Sequence, residues 1–427
     1  MSIFLNEWKS QLMEYSRNIR LFFVFNLVWN LGLGMFGLVY NLYVKALGYD
    51  QTMVGRLVAV TAIASALILI PAGILNDRYG PKRLVAIGLF GAVAAYGARC
   101  VLVTGQGLIV TAFLGGLATA VVSATILPFM ANHSTPRQRV HLFSFNMALV
   151  MLANVIGNML GGGLSDLFRQ AFHFSEVAAL RTTLLLGVGT AALGLIPVLL
   201  YTGDTGGRDS DAAVQPSRRW SGWRWSDYDA KQRSSLKVIG LFAVLGLLSS
   251  TAGGMIIPYL NVYFEDRFDV PHTTIGIVVS LGQGATALAY LLGPLIARKL
   301  GEARAVVVLQ LSSIPFMLLT AYTWNFYLAS VGYLFRQALM NAANPFYNSI
   351  KMKYVDRSMR GLASSSGEAM FNLGWFLAAP VSTGLVANHG AYYGYAYAFT
   401  ITAIVYTLIS ILFYYCFVAK ERFREVE

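Results

Sequence analysis

Long apolar stretches, separated by short polar ones, recur along the whole chain. A helix needs about 20 apolar residues to cross the hydrocarbon core of a bilayer, and twelve stretches reach or approach that length. Six lie in the first half, near residues 19–45, 52–75, 84–104, 107–131, 141–165 and 178–201. Six follow in the second half, near 237–264, 273–297, 304–322, 325–350, 362–387 and 392–418. The pattern predicts an all-α membrane protein with twelve transmembrane helices.

One polar segment interrupts this pattern between the two groups of six. It begins with GDTGGRDSDAAVQPSRR and continues with Trp220, Trp223 and Trp225 interleaved with polar residues and arginine. Such a composition does not cross a bilayer and is typical of a linker with aromatic anchors at the membrane interface. We therefore predict three parts, which are an N-terminal six-helix bundle at 1–201, a cytosolic or interfacial linker at 202–236 and a C-terminal six-helix bundle at 237–427.

The two groups of six spans also resemble each other. When one half is shifted by 220 or 221 residues along the other, identical residues coincide at several positions. Examples are Gly34 with Gly254, Asn41 with Asn261, Tyr43 with Tyr263, Gly55 with Gly276 and Gly80 with Gly301. This internal repeat indicates a duplication. Two similar bundles that enclose a site between them are the architecture of alternating-access transporters.

Composition and charge agree with a membrane location. Hydrophobic residues make up 56% of the chain and charged residues only 12%, with a mean hydropathy of +0.58, which argues against a soluble enzyme. The net charge of +12 comes from scattered clusters, so nucleic-acid binding is not expected. Most of these cations fall on one side of the predicted spans, and the positive-inside rule places both termini in the cytosol of a multi-pass cell-membrane (cytoplasmic-membrane) protein.

The loop after the second predicted span carries the sharpest local motif, GILNDRYGPKR at residues 73–83. Gly80 suits a tight turn, and the carboxylate of Asp77 is able to receive an arginine or face a helix N-terminus. The segment resembles the signature loop of the major facilitator superfamily, G-x-L-x-D-R-x-G-x-K/R-R. Together with the twelve spans and the repeat, this resemblance covers nearly the whole chain.

The resemblance implies the fold of that superfamily, a secondary active transporter and not an enzyme. It also implies a latch that closes the cytosolic side, made by Gly73, Asp77, Arg78, Gly80, Lys82 and Arg83, with Arg139 as a partner. In the second repeat Arg298 occupies the register of Asp77, so we expect an asymmetric gate. The alternative for Lys82 and Arg83 is that they only set the topology.

The tenth predicted span contains an arginine at about the bilayer midplane. An unpaired Arg336 there costs at least about 2.5 kcal/mol unless it faces water or a partner. Gln337, Asn341, Asn344 and Asn348 follow it at spacings that put them on one stripe of a helix. We predict that this stripe lines a substrate cavity, the alternative being that the amides only bond neighbouring helices.

Glu368 is the second costly residue, about 12 Å deep in the eleventh predicted span. A carboxylate in such a place is able to alternate between a proton and a cationic partner, which is what proton coupling requires. The alternative is a fixed ion pair with a cation of the tenth span. Trp375 continues the same face, and the further amides Asn30, Asn41 and Asn261 are also predicted to contact a polar solute.

Gly157-x-x-x-Gly161, followed by Gly162 and Gly163, resembles the glycine motif of antiporters in the superfamily, although the adjacent proline and an arginine in the fourth span are missing. This resemblance favours proton-coupled or ion-coupled efflux of drug-like or metabolite molecules. Uptake of a sugar, peptide or organic anion is the alternative, and a polytopic membrane enzyme or receptor a distant one.

The expected partners are a small solute, a coupling ion, which is a proton or another ion, and the lipid bilayer. The five histidines are dispersed, and neither a phosphate-binding loop nor a nucleophile motif is present. We therefore predict no catalytic residue, metal site or cofactor. A monomer is expected, because each pair of bundles encloses its own path.

Overall fold

The computed structural model describes residues 15–133, 136–201, 230–356 and 359–419, and these residues are helical apart from short connections. The first six spans follow the predicted ones closely. They are Arg17–Ala46, Gln51–Tyr79, Pro81–Val101, Gly105–Asn132, Pro136–Gln170 and Glu176–Leu193, the last continued by Leu195–Leu199.

The second six spans contain the irregular elements. The seventh combines Ala230–Gly254, a 3₁₀ turn at Ile257–Tyr259 and Leu260–Phe268, and the tenth combines Phe326–Ala342 and Asn344–Lys353. The eighth and ninth are His272–Leu300 and Glu302–Tyr322. The eleventh and twelfth lie in Arg360–Tyr414, which bends at Gly390 (φ 73°) and is followed by a π turn at Tyr415–Ala419.

Within the described ranges, nine segments are long and apolar enough to cross a membrane. One of them, Ser366–Ala419, contains two spans because the chain bends at Gly390. The eighth span and the interrupted tenth complete the predicted twelve, which gives an all-α membrane fold.

Side-chain caps define where several spans begin. Asp50, Thr104 and Ser175 accept hydrogen bonds from backbone N–H groups three residues ahead, at 3.0, 3.2 and 3.3 Å. Asn325 caps the tenth span through the N–H of Tyr327 at 2.9 Å. Such caps satisfy N–H groups that have no partner inside the helix. They lie at the end of the molecule that carries Lys45, which we call the Lys45 end, and the opposite end is the Gly80 end.

The sequence repeat is also a structural repeat. Gly80 and Gly301 both have a φ of 80°, each between two consecutive helices. Tyr43 donates to the carbonyl of Cys100 at 3.0 Å, and its repeat mate Tyr263 donates to the carbonyl of Thr320 at 2.6 Å. The same local contact is therefore made twice, once in each half of the chain.

The glycine motif of the fifth span is a packing motif. A Cβ atom at Gly157 would lie 2.4 Å from the carbonyl oxygen of Leu31, and one at Gly161 would lie 3.1 Å from the Cα of Met35. Gly162 instead packs on the eighth span, where a Cβ would lie 2.3 Å from the carbonyl oxygen of His272. These glycines let the fifth span approach one helix of its own half and one of the other half.

Two predicted boundaries need correction. The tenth span was predicted as one helix at 325–350, but it ends at Ala342 and restarts at Asn344. Pro345 explains the break, because proline lacks an N–H and clashes with the carbonyl four residues earlier. The seventh span begins at Ala230 inside the predicted linker, where Ala-Lys-Gln-Arg favours helix. The rest of that linker, 202–229, lies outside the described residues.

Candidate functional site

Two adjoining cavities lie among the spans. The first, which we call the central cavity, has a volume of about 520 Å³ and is lined by residues of both halves of the chain. The second, which we call the C-terminal cavity, has a volume of about 550 Å³ and is lined only by residues between Phe242 and Ile409. Ile257, Phe371 and Trp375 line both cavities, so these three residues form the boundary between them.

Most of the predicted substrate-contacting residues line one of these cavities. The central cavity contains Asn41, Asn261 and Gln337, and Trp375 lies at its boundary with the second. The C-terminal cavity contains the rest of the stripe in the tenth span, which is Arg336, Asn341, Asn344 and Asn348. Apart from Gln337, the stripe therefore lines one cavity on both sides of the break at Ala343.

Asn30 is placed differently from the sequence prediction, because it lines neither cavity. Its amide donates to the backbone and side-chain oxygens of Asn26, both at 2.8 Å. Asn26 in turn donates to Asn146 of the fifth span. The three amides thus form a hydrogen-bond network between two packed helices. The amide of Asn30 is used in this network and does not point into either cavity.

Arg336 is buried in the wall of the C-terminal cavity, with 3% of its surface exposed. Its Nη1 donates to Oε1 of Gln337 at 2.9 Å, and the phenol of Tyr406 interacts with it. Its Nε and Nη2 atoms have no hydrogen-bond partner among the described residues. Over the same part of the chain, no carboxylate forms an ion pair with Arg336, so Glu368 does not pair with it here.

Glu368 lies on the surface of the C-terminal cavity and is exposed there. The cation of the tenth span that interacts with it is Lys351, which lies beyond the break at Ala343 and lines the same cavity. A carboxylate and an ammonium group therefore share a water-accessible cavity inside the span region. This arrangement suits a group that exchanges a proton.

Sequence reasoning did not identify Arg99 as a site residue. It is buried in the third span and lines the central cavity. Its Nη2 donates to the carbonyl of Ala112 at 2.9 Å, and its guanidinium lies 4.9 Å from the ring centroid of Tyr96. The guanidinium also packs against Gly115, whose repeat mate is Arg336. Each half therefore places one buried arginine at this level of the repeat, but from different spans.

The Lys45 end is closed by contacts between the two halves, which we call the Lys45 seam. Asn41 donates to the carbonyl of Pro258 at 2.7 Å, and its repeat mate Asn261 donates to the carbonyl of Leu38 at 2.6 Å. Lys45 forms ion pairs with Glu265, at 2.8 Å, and with Asp266. Further bonds join Gln51 to Tyr395 and Thr273 to Asp166. The amides of Asn41 and Asn261 are therefore engaged in joining the halves.

The cavities are open towards the Gly80 end. Asn344, Asn348, Glu368 and Phe371 are exposed although they belong to spans, and they line the C-terminal cavity. Exposed polar side chains within a span region indicate a water-filled space.

The predicted cytosolic latch lies at the Gly80 end and is only partly described. The side chains of Asp77, Arg78 and Arg139 and the surroundings of Gly73 lie outside the described part of the structure. Lys82 donates to the carbonyl of Tyr201 in its own half, and Arg83 is exposed. Lys82 therefore binds the carbonyl that follows the sixth span in this structure, in which the Gly80 end is open.

Comparisons with known sequences give one consistent family. The family model described as Major Facilitator Superfamily matches residues 22–242 and 242–427. The MFS-type transporter YxaM of Bacillus subtilis (strain 168) is 23% identical over 273 residues, 64% of either chain. Multidrug resistance protein 1 of the same organism is 28% identical over 156 residues, 36% of this chain and 40% of that protein.

The quinolone resistance protein NorA of Staphylococcus aureus (strain Mu50) is 26% identical over 146 residues, 34% of this chain and 38% of NorA. The aligned regions thus span less than two thirds of the length of each of these relatives.

Solved structures share the fold over almost the whole chain. A point mutant of the nucleoside transporter NupG superposes with a TM-score of 0.74 at 16% identity, over 94% of this chain and 100% of that one. An inward-facing, unoccupied bacterial homologue of the lysosomal transporter Spinster gives 0.72 at 13% identity, over 95% and 96%. A D-xylose-proton symporter gives 0.72 at 14% identity, over 93% and 97%. These identities establish a common fold and nothing about substrate.

Proposed function

This chain belongs to the Major Facilitator Superfamily and is a multi-pass membrane transporter, and we propose that it moves a small organic solute across the cytoplasmic membrane by alternating access coupled to protons. The two six-helix bundles, 1–201 and 237–427, would rock about the central cavity and open it to one side at a time. The residues between them would serve as the linker. We further propose a monomer, since each pair of bundles encloses its own path.

The observation that carries this proposal is the combination of one sealed end and one open end. The Lys45 seam closes the central cavity on one side, and exposed polar residues line the space towards the Gly80 end. The distribution of Lys and Arg supports a cytosolic Gly80 end with both termini in the cytosol. In this orientation the structure represents an inward-open state.

Glu368 is the residue we propose for proton coupling. It faces the water-accessible C-terminal cavity together with Lys351. The cavity is accessible from the Gly80 end in this state, so a proton is able to reach the carboxylate from the cytosol. The rocking of the two bundles would then expose the protonated carboxylate to the opposite side of the membrane.

Substrate contact is assigned by cavity lining and, for Arg336 and Trp375, also by their unpaired donor atoms. We propose that the solute contacts Arg336, Gln337, Asn341, Asn344 and Trp375, with Asn41 and Asn261 at the sealed end of its path. Asn30 is left out because it faces another amide network. In the state that closes the Gly80 end, the loop containing Gly73, Asp77, Arg78, Gly80, Lys82 and Arg83 would form the cytosolic latch with Arg139.

Export is the direction we favour. Two of the relatives are described as resistance proteins, which supports efflux of metabolite or drug-like molecules. Uptake is the second candidate, because the arginines and amides of the cavities suit a polar nutrient or organic anion.

Alternating access predicts that the Lys45 seam and the Gly80 end respond in opposite directions to one change. In a Cys100→Ser, Cys416→Ser background, Gln51→Cys reports on the buried seam and Asn348→Cys on the open side. We expect Lys45→Met to raise severalfold the labelling of Gln51→Cys by an impermeant maleimide from outside, because it removes the ion pairs with Glu265 and Asp266. Labelling of Asn348→Cys from the cytosolic side should fall in parallel.

The matched control is Lys299→Met, which removes an exposed cation at the Gly80 end and should leave the seam reporter unchanged. Parallel gains at both reporters, or no change at either, would contradict alternating access.

A further inference from the structure

The unpaired hydrogen-bond donors around the two cavities indicate which class of solute would fit them. In the described structure the buried atoms without a partner include Nε and Nη2 of Arg336, Nε of Arg99 and the indole Nε1 of Trp375. These groups are donors and never acceptors. A buried donor without an acceptor is costly. A solute that brings oxygen acceptors into the cavities would relieve that cost for these four atoms, whereas one that brings only donors would bond at most the unpaired hydroxyls of Tyr40 and Tyr347.

The free edge of Arg336 has the geometry of an oxyanion site. Nη1 donates to Gln337 and the Tyr406 hydroxyl lies beside the guanidinium, while Nε and Nη2 donate to no acceptor among the described residues. The N–H groups of a guanidinium edge run in parallel and match two oxygens of one carboxylate or phosphate group. Gln337 holds the guanidinium by its other nitrogen and so orients this edge. Arg336 is the only arginine that the described residues contribute to the C-terminal cavity.

The charges of the cavities favour the same sign of ligand. The described lining residues carry three cations, Arg99, Arg336 and Lys351, against one carboxylate, Glu368. Charge interactions inside a protein are screened less than those in water. An excess of positive charge therefore attracts an anion and repels a cation.

An aromatic surface lies beside this site. Phe371 and Trp375 have ring centroids 5.1 Å apart and line both cavities. Trp375 offers its unpaired indole N–H together with the flat face of its ring. A ligand that reaches from Arg336 to the boundary of the cavities thus meets an oxyanion site at one end and an apolar surface at the other.

We propose that the substrate is an organic anion whose carboxylate or phosphate group binds the Nε–Nη2 edge of Arg336 and whose aromatic or apolar body packs on Phe371 and Trp375. The proposal rests on the transport function above and names the substrate class of the same site. It argues against lipophilic cations as substrates.

The test compares four probes that share a naphthyl ring and differ in the charge of their polar group. Purified protein in detergent is titrated with 2-naphthoate, 2-naphthyl phosphate, neutral 2-naphthamide and cationic 2-naphthylmethylammonium, and the melting temperature is followed. Bound ligand stabilises the folded state by mass action, so we expect the anions to raise Tm and the other two to leave it unchanged. The two anions distinguish a carboxylate substrate from a phosphate. Equal or greater stabilisation by the cation or the amide would overturn the proposal.

Variants then locate the site. Arg336→Gln should weaken 2-naphthoate binding about 10- to 100-fold, as expected for loss of hydrogen bonds to a charged group. Arg336→Lys keeps the charge but loses the parallel N–H groups, so its affinity should be intermediate. Arg56→Gln removes an exposed arginine outside both cavities and should bind normally.

If Arg336→Gln does not fold, Trp375→Phe replaces it, because it keeps the aromatic character and removes only the indole donor. Its affinity for 2-naphthoate should fall severalfold. Unchanged affinity in the folded variants of Arg336 and Trp375 would overturn the proposal and give Arg336 a structural role.

The binding measurement uses neither a gradient nor a second compartment. Its outcome is therefore independent of whether the transport proposal is correct. Anion binding without reciprocal labelling of Gln51→Cys and Asn348→Cys would support the substrate class and contradict alternating access. Reciprocal labelling without anion binding would contradict the substrate class alone.

Discussion

Replacing Glu368 with glutamine is expected to uncouple transport from the pH gradient. Glutamine keeps the size and polarity of the side chain but neither binds nor releases a proton in the physiological range. Linkage between two sites is typically worth about 1–3 kcal/mol, or about 5- to 150-fold in affinity. We therefore expect Glu368→Gln to lower gradient-driven accumulation by a factor in that range, while exchange of labelled for unlabelled solute without a gradient continues.

The measurement uses proteoliposomes with an imposed pH difference and, in parallel, counterflow at equal pH. Glu302→Gln is the matched control, because Glu302 lies outside both cavities and pairs with Lys353 at 3.1 Å. Full gradient-driven transport by Glu368→Gln would exclude this carboxylate as the coupling residue. Loss of both gradient-driven transport and counterflow would instead indicate a role in binding or folding.

Replacing Gly157 with leucine is expected to prevent correct assembly of the N-terminal spans. Even a Cβ atom at this position would lie 2.4 Å from a backbone oxygen of the first span and 3.0 Å from the Cα of Gly34. Backbone atoms in packed helices cannot move aside in the way that the end of a flexible side chain can. Overpacking typically costs about 1–3 kcal/mol, and a leucine here should exceed that range because two spans must separate.

Gly163 supplies the control from the same helix, because a Cβ atom there would meet nothing within 4 Å. Gly163→Leu should therefore give normal yield and melting temperature, whereas Gly157→Leu should lose most of its monodisperse protein in size-exclusion chromatography. Equal behaviour of the two variants would show that the approach of the first and fifth spans is not essential.

The number of the spans and most of their limits follow from the sequence because the bilayer imposes them. A helix in lipid needs a long apolar surface and satisfies its backbone groups internally, so hydropathy locates most of the spans. Hydropathy does not predict the break in the tenth span, although Pro345 is present in the sequence of that span. Within an apolar segment, hydropathy takes no account of the missing N–H of a proline.

The role of Arg99 depends on tertiary contacts. It lies two residues before the end of the third span at Val101, where an arginine ordinarily reaches the interface and needs no partner. Tyr96 is a neighbour on the same helix, but the carbonyl of Ala112 that accepts from the guanidinium belongs to the fourth span. Its orientation is therefore a property of two helices together, and a pattern within one helix does not contain it.

The Lys45 seam was predictable from information already present in the repeat. A shift of 220 residues places Lys45 on Glu265 and Asn41 on Asn261. Near an axis that relates two halves, register mates lie close to each other, so opposite charges at matched positions indicate an ion pair. The same reasoning does not reach Arg336 and Glu368, because these residues break the repeat and have no charged mates.

The interrupted tenth span also has a consequence for how the chain is inserted during synthesis. Its first part, Phe326–Ala342, has 17 residues, which at about 1.5 Å per residue is shorter than a hydrocarbon core of about 30 Å. An arginine near the centre of such a segment disfavours its partition from the translocon into lipid. The segment should therefore enter the bilayer together with neighbouring helices that shield Arg336, so that the residue proposed to bind substrate also makes biogenesis of the C-terminal bundle cooperative.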